Sequence, residues 1–341
     1  MRMQPMEDVE LNNYIETVSN QYKQVLEYNE RIFNKNKNRF TIVKYTVNEE
    51  DVTIYKAIEE MHTLLKTYET QEEENIITAF YTRYALINST LIEDTFRVDE
   101  KVKHKLIKCG FNASLIDRFS AENALMSKDQ IAQHLVDMDG ALKLLIKWAK
   151  NTDTKIDEDF IKEIHYLVIK TNRFEKSKDD TGKEVIAVKA IRKWRNMTVY
   201  FGDFDVVLTF FKHVPELMMT FIHWMNVIVN EVKNRSKDTT QSRLPHAYCA
   251  YLCAAFIHNT FMEIHPFSDG NGRTGRILAS LPLVIVGFPV ISIRSSSKEK
   301  YLQKIRQSQE EGKLSVLAEF LAAESLASLQ ESTNMYYSSG A

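Results

Sequence analysis

Residues 265–276, HPFSDGNGRTGR, hold one His, one Asp, three Gly and two Arg, in a chain of 341 residues with only 10 glycines. An imidazole with an unperturbed pKa of about 6.5 can take a proton from a hydroxyl, which makes His265 the candidate general base. Asp269 offers a hard oxygen of the kind that holds Mg²⁺ by one carboxylate together with the phosphates of a nucleotide. Gly270 and Gly272 allow a tight loop whose backbone N–H groups converge, and a helix beginning there adds its partial positive charge. Arg273 and Arg276 are three residues apart in the first turn of that helix, hence neighbours, and two cations there oppose the dipole. They call for an anion, either a polyphosphate or a carboxylate. The chemistry implied is phosphate binding beside a base.

The elements around this stretch can be read from spacing. Ala254, Ile257, His258, Phe261 and Ile264 recur at helical intervals, and Pro266 ends that helix at His265 because the residue before a proline is driven out of the α region. Asn271 then stands as N-cap of the next helix. Gly270, Gly272 and Gly275 also satisfy G-x-G-x-x-G, but a dinucleotide site needs a strand before the motif and a βαβ unit around it, and neither is present. No Gly-Lys-Ser/Thr occurs, so the stretch is no Walker A loop either.

Elsewhere the pattern is almost wholly helical. Ile76, Phe80, Tyr84, Ile87 and Leu91 predict a helix over about 73–95. Further helices are expected near 129–150, 156–171, 205–233, 245–264, 272–286 and 298–332. Two stretches read as β: RFTIVKYTV (39–47) and a short hairpin in KWRNMTVYFGDF (193–204), with a Gly202-Asp203 neighbourhood suited to a turn. The fold class is therefore mainly α, a helical core with one hairpin and a mostly helical N-terminal region with one strand. Residues 1–70 read as an appendage, 71–155 as a helical region, 156–332 as the core and 333–341 as a tail.

Composition narrows the function classes. With 44% hydrophobic and 26% charged residues the chain is of ordinary globular type. A formal net charge of −2 gives no basic field, so no nucleic-acid partner is expected. Cys109, Cys249 and Cys253 are an odd set that reads as buried thiols of a reducing compartment. The opening MRMQPMEDVE has no apolar run, and ILASLPLVIVGFPVI is broken by Pro282, Gly287 and Pro289. Neither a signal peptide nor a membrane span is expected, and the expected location is cytoplasmic.

HPFSDGNGRTGR resembles the signature HPFx[D/E]GNGRxxR of the Fic family at every fixed position. Similar stretches are EIHYLVI, WRNMTVYFG, AAFIHNTFMEI and KYLQKIRQSQEEGKLSVLAEFL, spread over roughly residues 80–325. The resemblance implies an all-α core with a β-hairpin flap, and transfer of AMP from ATP to a Ser, Thr or Tyr hydroxyl of a protein, for which this chain itself is one candidate. It implies roles for single residues. His265 would deprotonate the target hydroxyl for in-line attack on the α-phosphorus, and Asp269 would hold Mg²⁺. Asn271 and the amides of Gly270 and Gly272 would bind the α-phosphate, Arg273 and Arg276 the β- and γ-phosphates. Phe267 would anchor the loop in the core, and Val199 of the flap would help to clamp the target segment in extended form.

NSTLIEDT (88–95) is similar to the inhibitory motif [S/T]xxxE[G/N] of one class of the family, with Ser89 and Glu93 in the matching places and Asp94 where Gly or Asn is usual. By that resemblance Glu93 pairs with Arg276, takes the place of the γ-phosphate and restrains the enzyme. A further departure is SQEEG (308–312), where the family often has Asn ahead of a Gly near the adenine; here Gln309 or Glu310 is available. The same loop could instead hydrolyse AMP from a modified protein, with Glu93 orienting a water, or serve a nucleotide-binding regulatory module without turnover. Residues 1–70 could supply target recognition or homodimer contacts, and nothing in their sequence discriminates between the two.

Overall fold

The computed structural model describes residues 52–120, 126–151, 155–178, 182–197, 209, 211–237 and 243–338. The candidate strand at 39–47 and Val199 of the flap lie outside these residues, as does nearly all of the N-terminal appendage. The architecture is mainly α. Along the chain run α1 (Val52–Leu65), α2 (Gln71–Ile92), α3 (Glu100–Cys109), α4 (Lys128–Lys150), α5 (Glu158–Ile169), α6 (Val214–Ser236), α7 (Arg243–Ile264), α8 (Asn271–Ala279), α9 (Leu281–Ile285), α10 (Lys298–Glu311) and α11 (Leu314–Ser338). Two antiparallel strand pairs accompany them. One is a minimal pair, β1 (Arg97–Val98) with β2 (Phe119–Ser120). The other is a hairpin, β3 (Phe174–Lys178) with β4 (Glu184–Val188), in the register Phe174 to Val188 and Lys178 to Glu184.

α7 is the axis of the core. Ala247, Tyr248, Cys249, Ala250, Tyr251, Cys253, Ala254, Ala255, Phe256 and Ile257 are all buried, so the helix is covered all round, as a central helix must be. α1, α6, α8, α9 and α11 pack directly on it. The alanines keep the helix narrow enough for that many neighbours. Ile54, Ile58 and Met61 of α1 belong to this core. A second apolar cluster joins α2, α3 and α4 through Phe80, Tyr84, Ile87, Leu106 and Leu135.

Several expectations shift. Ile76, expected on the buried stripe of α2, is exposed, and Ile77 and Tyr81 are buried in its stead. The helix expected over 272–286 is two helices, broken at Ser280. That expected over 298–332 breaks at Gly312, whose φ of +71° ends α10 in the left-handed conformation. Residues 193–197 carry no strand; the hairpin that the structure describes lies earlier in the chain, at 174–188, and 198–204 are outside the described residues. Cys249 and Cys253 are buried free thiols with their Sγ atoms 3.9 Å apart, but Cys109, at the end of α3, is exposed. Among the described residues no helix is long and apolar enough to cross a membrane.

Candidate active site

α8 would be a poor helix in isolation. It has nine residues, NGRTGRILA, with glycines at 272 and 275, each costing about 1 kcal/mol relative to Ala in a helix interior. Tertiary packing overrides propensity here, since all nine residues are buried. A Cβ at Gly275 would lie 3.2 Å from Phe261 Cδ1, so glycine lets α8 lie close against α7. At the start of the helix Gly270 has φ +77° and is the residue that precedes the first turn. A Cβ there would stand 2.6 Å from Ile169 Cγ2. Gly270→Ala is therefore expected to lower the unfolding free energy by about 2–4 kcal/mol, the sum of left-handed strain and overpacking. A urea titration that shows no loss would remove this account of the loop.

Asn271 is not the N-cap. It is the first helical residue, and its side chain turns back on the loop. Its Oδ1 accepts from the Phe267 N–H at 2.9 Å, and its Nδ2 donates to the Phe267 carbonyl at 2.8 Å. This closed pair, like two backbone bonds in a turn, fixes the conformation of residues 267–271 and uses the amide group for shaping the loop. Phe267 itself is fully buried, stacked on the His165 ring with centroids 3.5 Å apart. His165 in turn bonds through Nε2 to the Asp269 carbonyl at 2.9 Å. The anchoring role expected of Phe267 is matched by this packing, and the helix with EIHYLVI supplies its platform.

His265 ends α7 with φ +50°. The strain is held by Arg195, which is 3% exposed and, among the described residues, donates its guanidinium to the backbone carbonyls of His265 at 2.7 Å, Met197 at 2.9 Å, Ile264 at 3.4 Å and Thr209. The Arg195 N–H also donates to the Pro266 carbonyl at 2.8 Å. Burial lowers the His265 pKa to about 4, with the Arg195 guanidinium as the next cause, while a Met262 backbone hydrogen bond and the carboxylates of Glu93 and Asp269 act in the opposite direction. A ring with that pKa is neutral near pH 7 and can accept a proton.

Asp269 sits between two cations. Oδ1 accepts from the Gly270 N–H at 2.5 Å and from Arg273 Nη2 at 3.3 Å, and Lys189 Nζ lies 2.6 Å from Oδ2. Burial by itself would raise its carboxyl pKa; Arg273 and Lys189 more than reverse that and hold it well below the usual carboxylate range. Arg273, 1% exposed, also has Nη1 3.5 Å from His134 Nε2, and its Nε has no hydrogen-bond partner among the described residues. An orphaned guanidinium N–H in the interior is the kind of group that an anion would satisfy.

Ser89 and Glu93 of NSTLIEDT, at the end of α2, lie against the same loop. Arg276 donates from Nε to Ser89 Oγ at 2.9 Å, from Nη2 to the Ser89 carbonyl at 2.8 Å and to Glu93 Oε1 at 2.7 Å, and from Nη1 to Tyr301 Oη at 3.1 Å. A Cβ added at Gly272 would overlap Glu93 Oε1, which shows that the carboxylate rests on the first turn of α8. Asp94 has φ +49°, in the left-handed region that favours Gly and Asn but also admits Asp. Its carboxylate pairs with Lys298 and with Arg97, so the substitution is accommodated. α2 is moored to the core by two further bonds: Tyr81 Oη to the Val290 carbonyl at 2.7 Å, and the Ser295 N–H to Asn88 Oδ1 at 3.0 Å. Near the position considered for the adenine, Ser308 is buried and bonded to Asn259 and the Lys313 carbonyl, while Glu310 is exposed.

Thus His265, Asp269, Gly270, Asn271, Gly272, Arg273 and Arg276 converge with Ser89 and Glu93, and Val199 is undescribed. Sequence reasoning missed Lys189, Arg195, His134 and Tyr301. Arg195 stands inside WRNMTVYFG, and a buried position could have been suspected from its neighbours; nothing in the local pattern marks the others.

Buried neutral histidines make stability depend on pH. Burial pushes His134 and His258 down to about 3 and His165 and His265 to about 4. Between about pH 6.5 and 4 the unfolded chain binds more protons than the native one, so stability falls as pH falls. Each histidine contributes up to about 1.4 kcal/mol per pH unit in that window. Denaturation midpoints should drop steadily from pH 7 to pH 5, and a flat profile would mean that these rings are solvated or charged in the folded state.

Residues 155–283 match the model of the Fic/DOC family. A Fido domain-containing protein of Dictyostelium discoideum is 44% identical over 73 residues, 21% of this chain and 47% of that protein. A protein adenylyltransferase Fic of Culex quinquefasciatus is 39% identical over 137 residues, 38% of this chain and 22% of that protein. The chain spans less than half the length of these curated relatives. Among solved structures, a Fic domain containing signaling protein from Bacteroides thetaiotaomicron aligns with a TM-score of 0.58 at 17% identity, covering 83% of this chain and 97% of that one. That likeness is one of fold.

Proposed function

We propose that this protein, which carries a Fic domain, transfers AMP from ATP to a side-chain hydroxyl of a protein and is restrained by Glu93. The observation that carries the reading is the neutral, buried His265 at the mouth of a loop with two buried arginines, one of them occupied by the Glu93 carboxylate. The phosphates of ATP would lie on the amides of Gly270 and Gly272 and on Arg273 and Arg276. The target hydroxyl oxygen attacks the α-phosphorus; a new O–P bond forms, the bond to the β-phosphate breaks, and pyrophosphate leaves in line. His265 takes the hydroxyl proton. Asp269, with its very acidic carboxyl, suits a Mg²⁺ ion, which would neutralise charge on the phosphates as pyrophosphate departs. The loop that Asn271 shapes and Arg195 holds would keep the backbone in place, while the Gly270 N–H, now on Asp269, and the first turn of α8, now under Glu93, would exchange those partners for the phosphates.

The test follows two labels. ATP labelled at the α-phosphorus should leave its label on protein, and ATP labelled at the γ-phosphorus should not. Retention of the γ-label would indicate phosphorylation and overturn the reading.

A further inference from the structure

Lys189 has no role in the mechanism above, yet its ammonium is the nearest group to the free side of Asp269. It directly follows β4, and its N–H donates to the Arg173 carbonyl at 2.8 Å, which closes the base of the 174–188 hairpin. The side chain is 7% exposed and ends 2.6 Å from Asp269 Oδ2. The other oxygen is already shared by Gly270 and Arg273. Both oxygens are thus engaged by protein donors, although the carboxylate retains 31% exposure and a path to solvent. Mg²⁺ takes oxygens at about 2.1 Å in a near-octahedral shell. An ammonium on the same oxygen leaves no room for that shell and repels the ion besides.

We propose that Lys189 is a built-in competitor for the divalent cation at Asp269: the ion loads only as the ammonium leaves Oδ2, and loading loosens the base of the hairpin. The inference rests on the assignment of Asp269 as the metal-holding carboxylate. Lys189 acts here as a positioning residue, and what it positions is the hairpin, tied to the loop while the carboxylate is free of metal. The charge inventory around Asp269 supports the exchange. Arg273 and Lys189 face it directly, His134 stands behind Arg273 as a neutral ring, and Glu93 is committed to Arg276. Lys189 is the one of the two cations attached to a hairpin and not to the loop's own helix, so it is the one able to leave without dismantling α8.

The experiment titrates the 341-residue protein with Mn²⁺ alone and follows the free-ion signal by electron paramagnetic resonance, in wild type, Lys189→Met, Lys189→Arg and Asp269→Asn. The expected result is binding about tenfold tighter in Lys189→Met, close to wild type in Lys189→Arg, and lost in Asp269→Asn. Equal binding by wild type and Lys189→Met, with loss in Asp269→Asn, would overturn the competition and leave the metal assignment standing. Unchanged binding in Asp269→Asn would overturn that assignment itself. Should Lys189→Met fail to fold, hydrogen exchange in the wild type decides: saturating Mn²⁺ should speed exchange over residues 182–190, and unaltered exchange there refutes the coupling.

Discussion

Replacing His265 by Ala should abolish AMP transfer, with turnover lowered by at least about 10³-fold, while ATP binding changes by less than about threefold. The ring is the only candidate base of the loop, and the groups assigned to the phosphates are on residues 270–276, not on His265. The backbone that shapes the loop would survive the change, because Arg195 bonds to the carbonyl of residue 265 and not to its ring. The measurement is label transfer and nucleotide affinity in parallel, in a form with Glu93 replaced so that turnover is measurable. Loss of binding along with activity would make His265 a structural residue of the buried interior.

Replacing Glu93 by Gly should raise AMP incorporation by about 30–100-fold, corresponding to about 2–3 kcal/mol of differential interaction. On the proposed reading the carboxylate, paired with Arg276 and resting on Gly272, would compete with an incoming phosphate for both. Its removal leaves Arg276 still held by Ser89 and Tyr301, in place and with donors to offer. The double change Glu93→Gly with His265→Ala should return incorporation to background. Equal labelling of wild type and Glu93→Gly would sink the inhibitory role. Loss of AMP release from a modified protein in Glu93→Gly, with no gain in labelling, would reassign Glu93 to the orientation of a water.

Much of the helical plan was legible in the sequence because apolar spacing reports burial directly. α2, α4, α5 and α7 begin and end within a few residues of the helices expected over 73–95, 129–150, 156–171 and 245–264. α3 and α9 were not separated out, since each is short and lies beside a stronger signal. The hairpin expected over 193–204 lies mostly outside the described residues, and the hairpin that the structure describes, FEKSK paired with EVIAV, was not marked in the sequence. β-propensity is a statement about fitting a half-buried surface, and a solvent-facing hairpin with exposed Ile186 and Val188 is set by its own pairing instead.

The sequence alone determined the chemical inventory of the loop: a base, a carboxylate, convergent amides and paired arginines within twelve residues, and a Glu upstream that could answer them. Those are local facts, carried by residue type and spacing. Only the tertiary structure decided what each group is committed to. Asn271 spends its amide on Phe267, Arg195 clamps the strained His265, Lys189 arrives from a hairpin 80 residues away to sit on Asp269, and Glu93 crosses 183 positions to reach Arg276. The reason is physical. Charge pairing and burial act through space, so the partner of a charged group is set by where the helices pack, and no periodicity along the chain records it.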